Sequence, residues 1–386
     1  MGFIFGERGG GYGLITNTEE SSHHRRRQIM NPAFHRKCLK DFMSKFNYVC
    51  DRFLVRMDTI VHDRQPTSMV KEFANVTLEV ASQAFFNIET HAIEIPNSPF
   101  PAAMQNYLRG IQHNFDIPLH PVFLTIFQFK IFQNATKRLQ IDAVRFLRKF
   151  AFNVITTRMK DIRQDKVVPE DLLSLLINDG SLSMDDIIDE FITIFIAGQD
   201  TTANALSFAL YGIITNPHVE DKLLNELDQV LGDRDHVEFA DLVKLKYLDS
   251  VFEESLRKYP VVQAPSRILT KDITVGGYHI PKGNGINSLQ ILFCMNPEIW
   301  KNPEVFDPER FSNAKNMRNF GMTHFPFSIG PRNCIGYNFA RIESKVILAR
   351  LLRKFKFKLM PGQSDKMRAR VICSSRDGVI CHVTER

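Results

Sequence analysis

Apolar and charged positions alternate at helical spacing from about His23 to His62, from Val70 to Phe86 and from Asn134 to Arg163, which predicts long amphipathic helices there. A more apolar run from Met184 to about Thr215 opens on Ser183 with Asp186 three residues on, a helix-start pairing, and stops at Asn216-Pro217, where proline drives the preceding residue out of the helical region. Further helices fit His218 to Leu231 and Ser250 to Tyr259, the second ended by Pro260. Strand signals are short. Ile273-Thr274-Val275, Gly276-Gly277 and Tyr278-His279-Ile280 read as a tight hairpin, and Ile286 to Phe293 as another strand. After a loop rich in Pro, Asn and Gly, a last long helix begins near Ile335 and turns Ile335, Phe339, Ile342, Val346 and Ala349 to one core face. The chain's end reads as small β structure. The expected fold class is mainly α with minor β.

Composition narrows this picture. The 386 residues are 44% hydrophobic and 24% charged, enough to bury a large core. No linker and no internal repeat divides them, so a single domain over residues 1–386 is expected. The net charge of +6, from 49 basic and 43 acidic residues, suits an acidic protein partner or an anionic membrane surface and does not call for nucleic acid. Arg25-Arg26-Arg27 reads as a solvated helix face. None of the six cysteines forms a C-x-x-C pair, which argues against a zinc ribbon or a disulfide scaffold. No apolar run approaches the ~20 residues that span a bilayer.

Chemistry concentrates in Phe327-Ser328-Ile329-Gly330-Pro331-Arg332-Asn333-Cys334-Ile335-Gly336. Gly330 and Gly336 let backbone come close to something flat or charged. Cys334, at the start of a helix, lies where amide N–H groups and the helix dipole favour a thiolate, a good metal ligand. Arg332 offers a fork suited to a carboxylate, and Phe327 could shield the sulfur. The bland alternative is a buried cysteine in a glycine-rich turn. The segment resembles, without a mismatch, the haem-binding loop of the cytochrome P-450 superfamily, F-x-x-G-x-R-x-C-x-G. That resemblance implies that Cys334 is the axial ligand to the iron of haem b and that Arg332 pairs with a haem propionate.

A second motif lies on the apolar run, Ala197-Gly198-Gln199-Asp200-Thr201-Thr202. A glycine costs helix stability, and an acid and hydroxyls in an apolar stretch ask for a reason. The plain reading is a kinked core helix; the functional one is a groove that admits a ligand. It resembles the family's oxygen-binding motif, which implies that Ala197 and Gly198 lie beside the cofactor, that Thr201 hydrogen-bonds dioxygen and that Asp200 relays protons. Glu254, Arg257 and Arg310, the last within Phe306-Asp307-Pro308-Glu309-Arg310-Phe311, are similar to the family's structural triad. By the same match Arg267 and Arg27 are further propionate partners, although His23 stands where the family's helix motif carries Trp. Phe115 to Phe132 reads either as packing over the core or as a channel roof that touches membrane.

With no G-x-G-x-x-G after a strand, electrons are expected from a separate NADPH-dependent reductase. The implied activity is haem-dependent monooxygenation of an apolar substrate such as a sterol. Phe195-Ile196-Ala197-Gly198, Phe325-Pro326-Phe327-Ser328 and Leu359-Met360-Pro361-Gly362-Gln363 look most like the cholesterol 24-hydroxylase subfamily. The opening Met1-Gly2-Phe3 reads like the middle of a protein, so the family's N-terminal portion is expected to be missing. The alternative that follows is a haem- or lipid-binding member without turnover. For the full-length protein an endoplasmic reticulum membrane is the expected location.

Overall fold

The computed structural model describes residues 11–95, 98–116, 135–312 and 321–386. The Phe115 to Phe132 segment lies outside them but for the backbone at its first two positions. The expected fold class holds: the described residues are mainly helical, with short strands. They fall into two compact units, one of residues 1–56 and 74–200, the other of residues 57–73 and 201–386.

The first unit is helical. Helices α1 (Glu20–Met30) and α2 (Arg36–Asp63) are separated by a 3-10 turn at Asn31–Phe34, because Pro32 cannot continue a helix; the periodic run from His23 to His62 is therefore two helices. Then come α3 (Met69–Phe86), α4 (Pro99–Asp116), α5 (Ala135–Arg163), α6 (Leu172–Asn178) and α7 (Met184–Ile214), of which α2, α3 and α7 belong only in part to this unit. The start of α7 is capped as its sequence indicates. The Ser183 N–H donates to Asp186 Oδ2 at 3.0 Å, and the Asp186 N–H donates to Ser183 Oγ at 3.2 Å.

Aromatic rings fill the interior: Phe86 stacks on Phe191 at 4.1 Å, Phe191 on Phe195 at 4.8 Å, and Phe100 meets Phe150 edge-on at 4.6 Å. Segment 11–17 is tied to α7 by buried acids. Tyr12 N–H donates to Asp189 and Leu14 N–H to Glu190. Arg26 is not on a solvated face as read from the sequence; it is buried and bridges Glu190 at 3.0 Å and Asp186 at 2.6 Å. A basic run cannot show which of its members turns inward to a distant acid.

The second unit holds the rest of α7 with α8 (Pro217–Leu231), α9 (Lys246–Lys258), α10 (Gln290–Cys294) and α11 (Tyr337–Lys354). An antiparallel sheet runs β1 (Thr67–Ser68), β7 (Ile380–Glu385), β6 (Phe355–Leu359), and β2 (Ser266–Ile268) pairs with β5 (Gly285–Asn287). Strands β3 (Ile273–Val275) and β4 (Tyr278–Ile280) form the expected hairpin, with φ of 57° at Gly276 and 85° at Gly277, the pair of positive angles a type I′ turn requires. The strand expected over Ile286 to Phe293 ends at Asn287 and gives way to α10, since a short apolar run has no period that separates strand from helix.

Candidate functional site

The Cys334 loop is shaped by its own backbone. Ser328 and Gly330 take positive φ, 61° and 79°, turning the chain twice. Ser328 N–H donates to the Phe325 carbonyl at 2.8 Å, Asn333 N–H to Gly330 at 3.0 Å and Cys334 N–H to Phe327 at 2.8 Å. Gly336 then caps α11, whose first residue is Tyr337 rather than Ile335. Cys334 thus lies just ahead of the first turn, where the N–H groups have no acceptor within their own helix and the dipole favours an anion. Phe327 packs edge-on against Tyr337 at 5.9 Å. The loop is braced from α10, where Gln290 Nε2 donates to the Phe325 carbonyl at 3.2 Å.

Strand β2 brings Arg267 to this loop: Arg267 Nη2 donates to Ser328 Oγ at 3.1 Å, and Nη1 to the Ser266 carbonyl. Arg267 is exposed and has no carboxylate partner among the described residues, so most of its fork is open to an anion. Arg332 is half-buried in the loop itself.

These residues fit a haem. Cys334 is exposed, whereas Cys50, Cys294, Cys373 and Cys381 are buried. Burial pushes the Cys294 thiol up to about 11 and the Cys381 thiol up to about 12, and raises that of Cys373, so these are poor thiolate ligands. No group of three His, Cys, Asp or Glu that could hold a metal occurs among the described residues, and a single thiolate suits an iron whose other ligands come from a macrocycle. A Cβ at Gly330 would meet nothing within 4 Å, and Ile329 and Tyr337 leave apolar surface exposed beside the cysteine for a flat apolar face to cover.

On α7 the motif residues change environment. Phe191 to Phe195 and Thr202 to Leu210 are buried, yet Ala197, Gly198, Asp200 and Thr201 are half-exposed. The helix is unbroken through the motif; what opens is its cover. Ala197, Gly198 and Asp200 belong to the first unit, where Thr77 Oγ1 donates to the Gln199 carbonyl at 2.9 Å and a Cβ on Gly198 would come within 3.1 Å of Ala81. Arg27 is half-buried on α1 of that unit, and His23 is buried on the same helix. Thr201, Arg267, Phe327, Arg332 and Cys334 belong to the second.

The triad is assembled and buried. Arg257, wholly enclosed, grips Glu254 with two bonds of 2.7 and 2.8 Å, and Arg310 Nε lies 3.5 Å from Glu254. Two further buried features carry no local motif in the sequence. His324 Nε2 lies 2.7 Å from Glu253, which also pairs with Arg341 at 2.5 Å. Glu343, fully buried on α11, has Thr202 of α7 as its polar neighbour. A signal for Glu343 was present, since it lies on the helix face of Phe339 and Val346.

The family model of cytochrome P450 matches residues 3–377. The chain belongs to the cytochrome P450 family. Cytochrome P450 3A9 of Rattus norvegicus is 30% identical over 89% of this chain and 69% of its own length. Cytochrome P450 4d2 of Drosophila melanogaster is 29% identical over 96% and 76%, and cytochrome P450 3A28 of Bos taurus 31% over 92% and 71%. These relatives give no support to a cholesterol 24-hydroxylase likeness. The family comprises haem-thiolate monooxygenases, which hold haem b through a cysteine thiolate and use dioxygen, and this P450 is an oxidoreductase of that kind. Among the described residues no helix is long and apolar enough to cross a membrane.

Proposed function

We propose that the Cys334 thiolate would hold the haem iron of this monooxygenase and that Arg332, Arg267 and Arg27 would receive the haem propionates. The observation that carries the reading is the exposed Cys334 at the mouth of a loop held by Arg267. Bound there, haem b supplies oxygen activation and insertion of one oxygen atom into substrate. The chain's own residues do the rest. Phe327, packed edge-on against Tyr337, would shield the sulfur from water. Gly330, where a Cβ would meet nothing within 4 Å, leaves room for close approach of the macrocycle on that side, with Gly336 next to it in the loop; Ala197 and Gly198 are the candidates along α7. Thr201 would offer a hydroxyl as hydrogen-bond donor and acceptor, and Asp200 a carboxylate that could relay protons to it.

The substrate class is an apolar small molecule; a sterol belongs to that class, with nothing in the relatives to single it out. Electrons come from a separate NADPH-dependent reductase, and the net charge of +6 suits an acidic partner and the anionic surface of the endoplasmic reticulum membrane. No nucleic acid is involved.

The test is the absorption spectrum of the reduced, carbon monoxide-bound protein. Wild type and Cys38→Ala should show the red-shifted Soret band of thiolate-ligated haem, and Cys334→Ala should lose it. Retention of that band by Cys334→Ala would remove the assignment.

A further inference from the structure

A cavity of about 360 Å³ lies where the end of α5 meets the start of α7. Thr156, Met159, Lys160, Arg163 and Gln164 line it from one side, and Met184, the first residue of α7, closes it. Steps of three, one and three along α5 put Thr156, Met159, Lys160 and Arg163 on one helix face. All six residues belong to the first unit. Met184 precedes Ala197 by 13 residues of unbroken helix, roughly 20 Å of axis. The cavity is therefore separate from the α7 motif and from the chemistry proposed there.

Its walls are of two kinds. Met159 and Met184 are half-buried and apolar, and methionine adapts to apolar groups of irregular shape. Lys160 and Arg163 are exposed, and among the described residues neither has an acid or a carbonyl as side-chain partner. The acids close to them in sequence or across the cavity are occupied elsewhere. Asp161 is held by Lys166 at 2.8 Å, Asp185 by Arg148 at 2.7 Å and Asp186 by Arg26 at 2.6 Å. None of these acids, nor Asp165, lines the cavity. Cations in the last turn of a helix complement its dipole, but that role needs neither a cavity nor an apolar wall.

Two uncompensated cations one turn apart match a group with close to two negative charges. A phosphate monoester carries about −1.5 to −2 at neutral pH, whereas a carboxylate carries one. An arginine fork takes two phosphate oxygens, and a lysine acts on the group as a point charge. Small-molecule sites span about 300–1,000 Å³, so this volume admits a head group together with a small apolar body.

We propose that the cavity is a second ligand site, which takes a phosphate monoester on Lys160 and Arg163 and lays its apolar body on Met159 and Met184. The ligand bridges α5 and α7. The same head group comes from two sources, a free phosphate ester or an anionic lipid.

The experiment titrates the haem-loaded full chain by calorimetry in phosphate-free buffer, with n-hexyl phosphate, inorganic phosphate and 1-hexanol as probes and the Soret band recorded alongside. n-Hexyl phosphate should bind at one site per chain, at least about tenfold more tightly than either other probe, and leave the Soret band in place. Lys160→Gln combined with Arg163→Gln should weaken it at least about tenfold, because charge-assisted hydrogen bonds are lost. Both side chains are exposed and unpaired, so the double variant should fold as wild type does. Lys149→Gln, exposed on the same helix outside the cavity, should change nothing. Met184→Gln should weaken n-hexyl phosphate and spare inorganic phosphate. The site is refuted if n-hexyl phosphate does not bind wild type, if the double variant binds it equally well, or if Lys149→Gln weakens it as much as the double variant does. A Soret band that moves in step with binding also refutes it, since the ligand then sits at the haem. Equal affinity for n-hexyl phosphate and inorganic phosphate overturns the apolar half of the assignment. Phosphatidylcholine vesicles carrying phosphatidic acid separate the sources. Sedimentation with them that the double variant loses assigns the head group to a lipid; binding of n-hexyl phosphate without sedimentation assigns it to a free ester, and either result supports the site.

Discussion

Glu254→Ala should cost this P450 about 4 kcal/mol of stability. Glu254 is fully buried and accepts two bonds from Arg257, at 2.7 and 2.8 Å, and one from the Asp307 N–H at 2.8 Å. Removing it leaves the enclosed Arg257 guanidinium without its counter-charge, beside Arg310, which had shared the same carboxylate. Breaking one side of a buried pair costs roughly 3–5 kcal/mol, and the part-buried Asp307 N–H also loses its acceptor, at the low end of about 1–3 kcal/mol. An offset comes from acceptors that Arg257 keeps, the carbonyls of Cys294 and Pro303, each at 2.8 Å, and the face of Trp300. Against a typical total of about 5–15 kcal/mol, the loss is large enough to lower the yield of soluble holoprotein. The assay is urea unfolding of the haem-loaded protein in a double-mutant cycle with Arg257→Met. The double variant should lose much less than the sum of the singles, because it removes both buried charges. A loss below about 1 kcal/mol, the scale of an exposed pair, or additivity of the two singles, would refute the argument.

The buried acids and the close contacts of α7 supply two more tests. Burial pushes the Glu190 carboxyl up to about 7 from 4.5, against the opposing pull of the Leu14 N–H and Arg26. The folded protein thus holds this proton more tightly than the unfolded chain does. That contribution is whole below about pH 4.5 and is lost as pH rises through about 7, up to about 3 kcal/mol in all; unfolding of Glu190→Gln across that range should lack this component, and parallel pH profiles would count against it. Gly212→Ala would place a Cβ 2.5 Å from the Phe306 ring. Overpacking of about 1–3 kcal/mol should outweigh the roughly 1 kcal/mol of helix propensity gained, and Phe306→Leu should relieve the loss; a stabilised Gly212→Ala would show that the ring moves aside freely.

What the sequence disclosed was what depends on near neighbours. The Ser183–Asp186 cap, the Gly276-Gly277 turn and the stop at Pro217 are each decided within a few residues, and each stands where the pattern places it. The Cys334 loop was legible for the same reason, its turns, cysteine and glycines being consecutive. Contacts that depend on distant partners were not. Arg26 sits in a run of three arginines, and nothing local distinguishes the one that reaches Glu190, 164 positions away. The hydrogen bond of Arg267 to Ser328 spans 61 positions and depends on the pairing of β2 with β5. Glu343 was within reach, since a charged residue on an apolar helix face calls for an explanation, but its partner Thr202 lies on a helix that only the fold brings near.

The arginines divide by what occupies them, and the division bears on the site. Arg158 is buried with both terminal nitrogens on Asp171, Ser174 and the Phe86 carbonyl. Arg257 is saturated by Glu254 and three carbonyls. Arg26 and Arg148 each bridge two acids of α7. A guanidinium offers five donors in a fixed fork, and in these residues the fork is occupied by groups that fix one helix to another. Arg267 differs. Its bonds are to its neighbour's carbonyl and to the hydroxyl of Ser328, both neutral, and it stands exposed next to the loop of the exposed cysteine. Neutral partners orient an arginine without neutralising it. An arginine held in place by neutral groups, with its charge uncompensated, is suited to an anion brought by a ligand, and a propionate carboxylate has the geometry to take that fork.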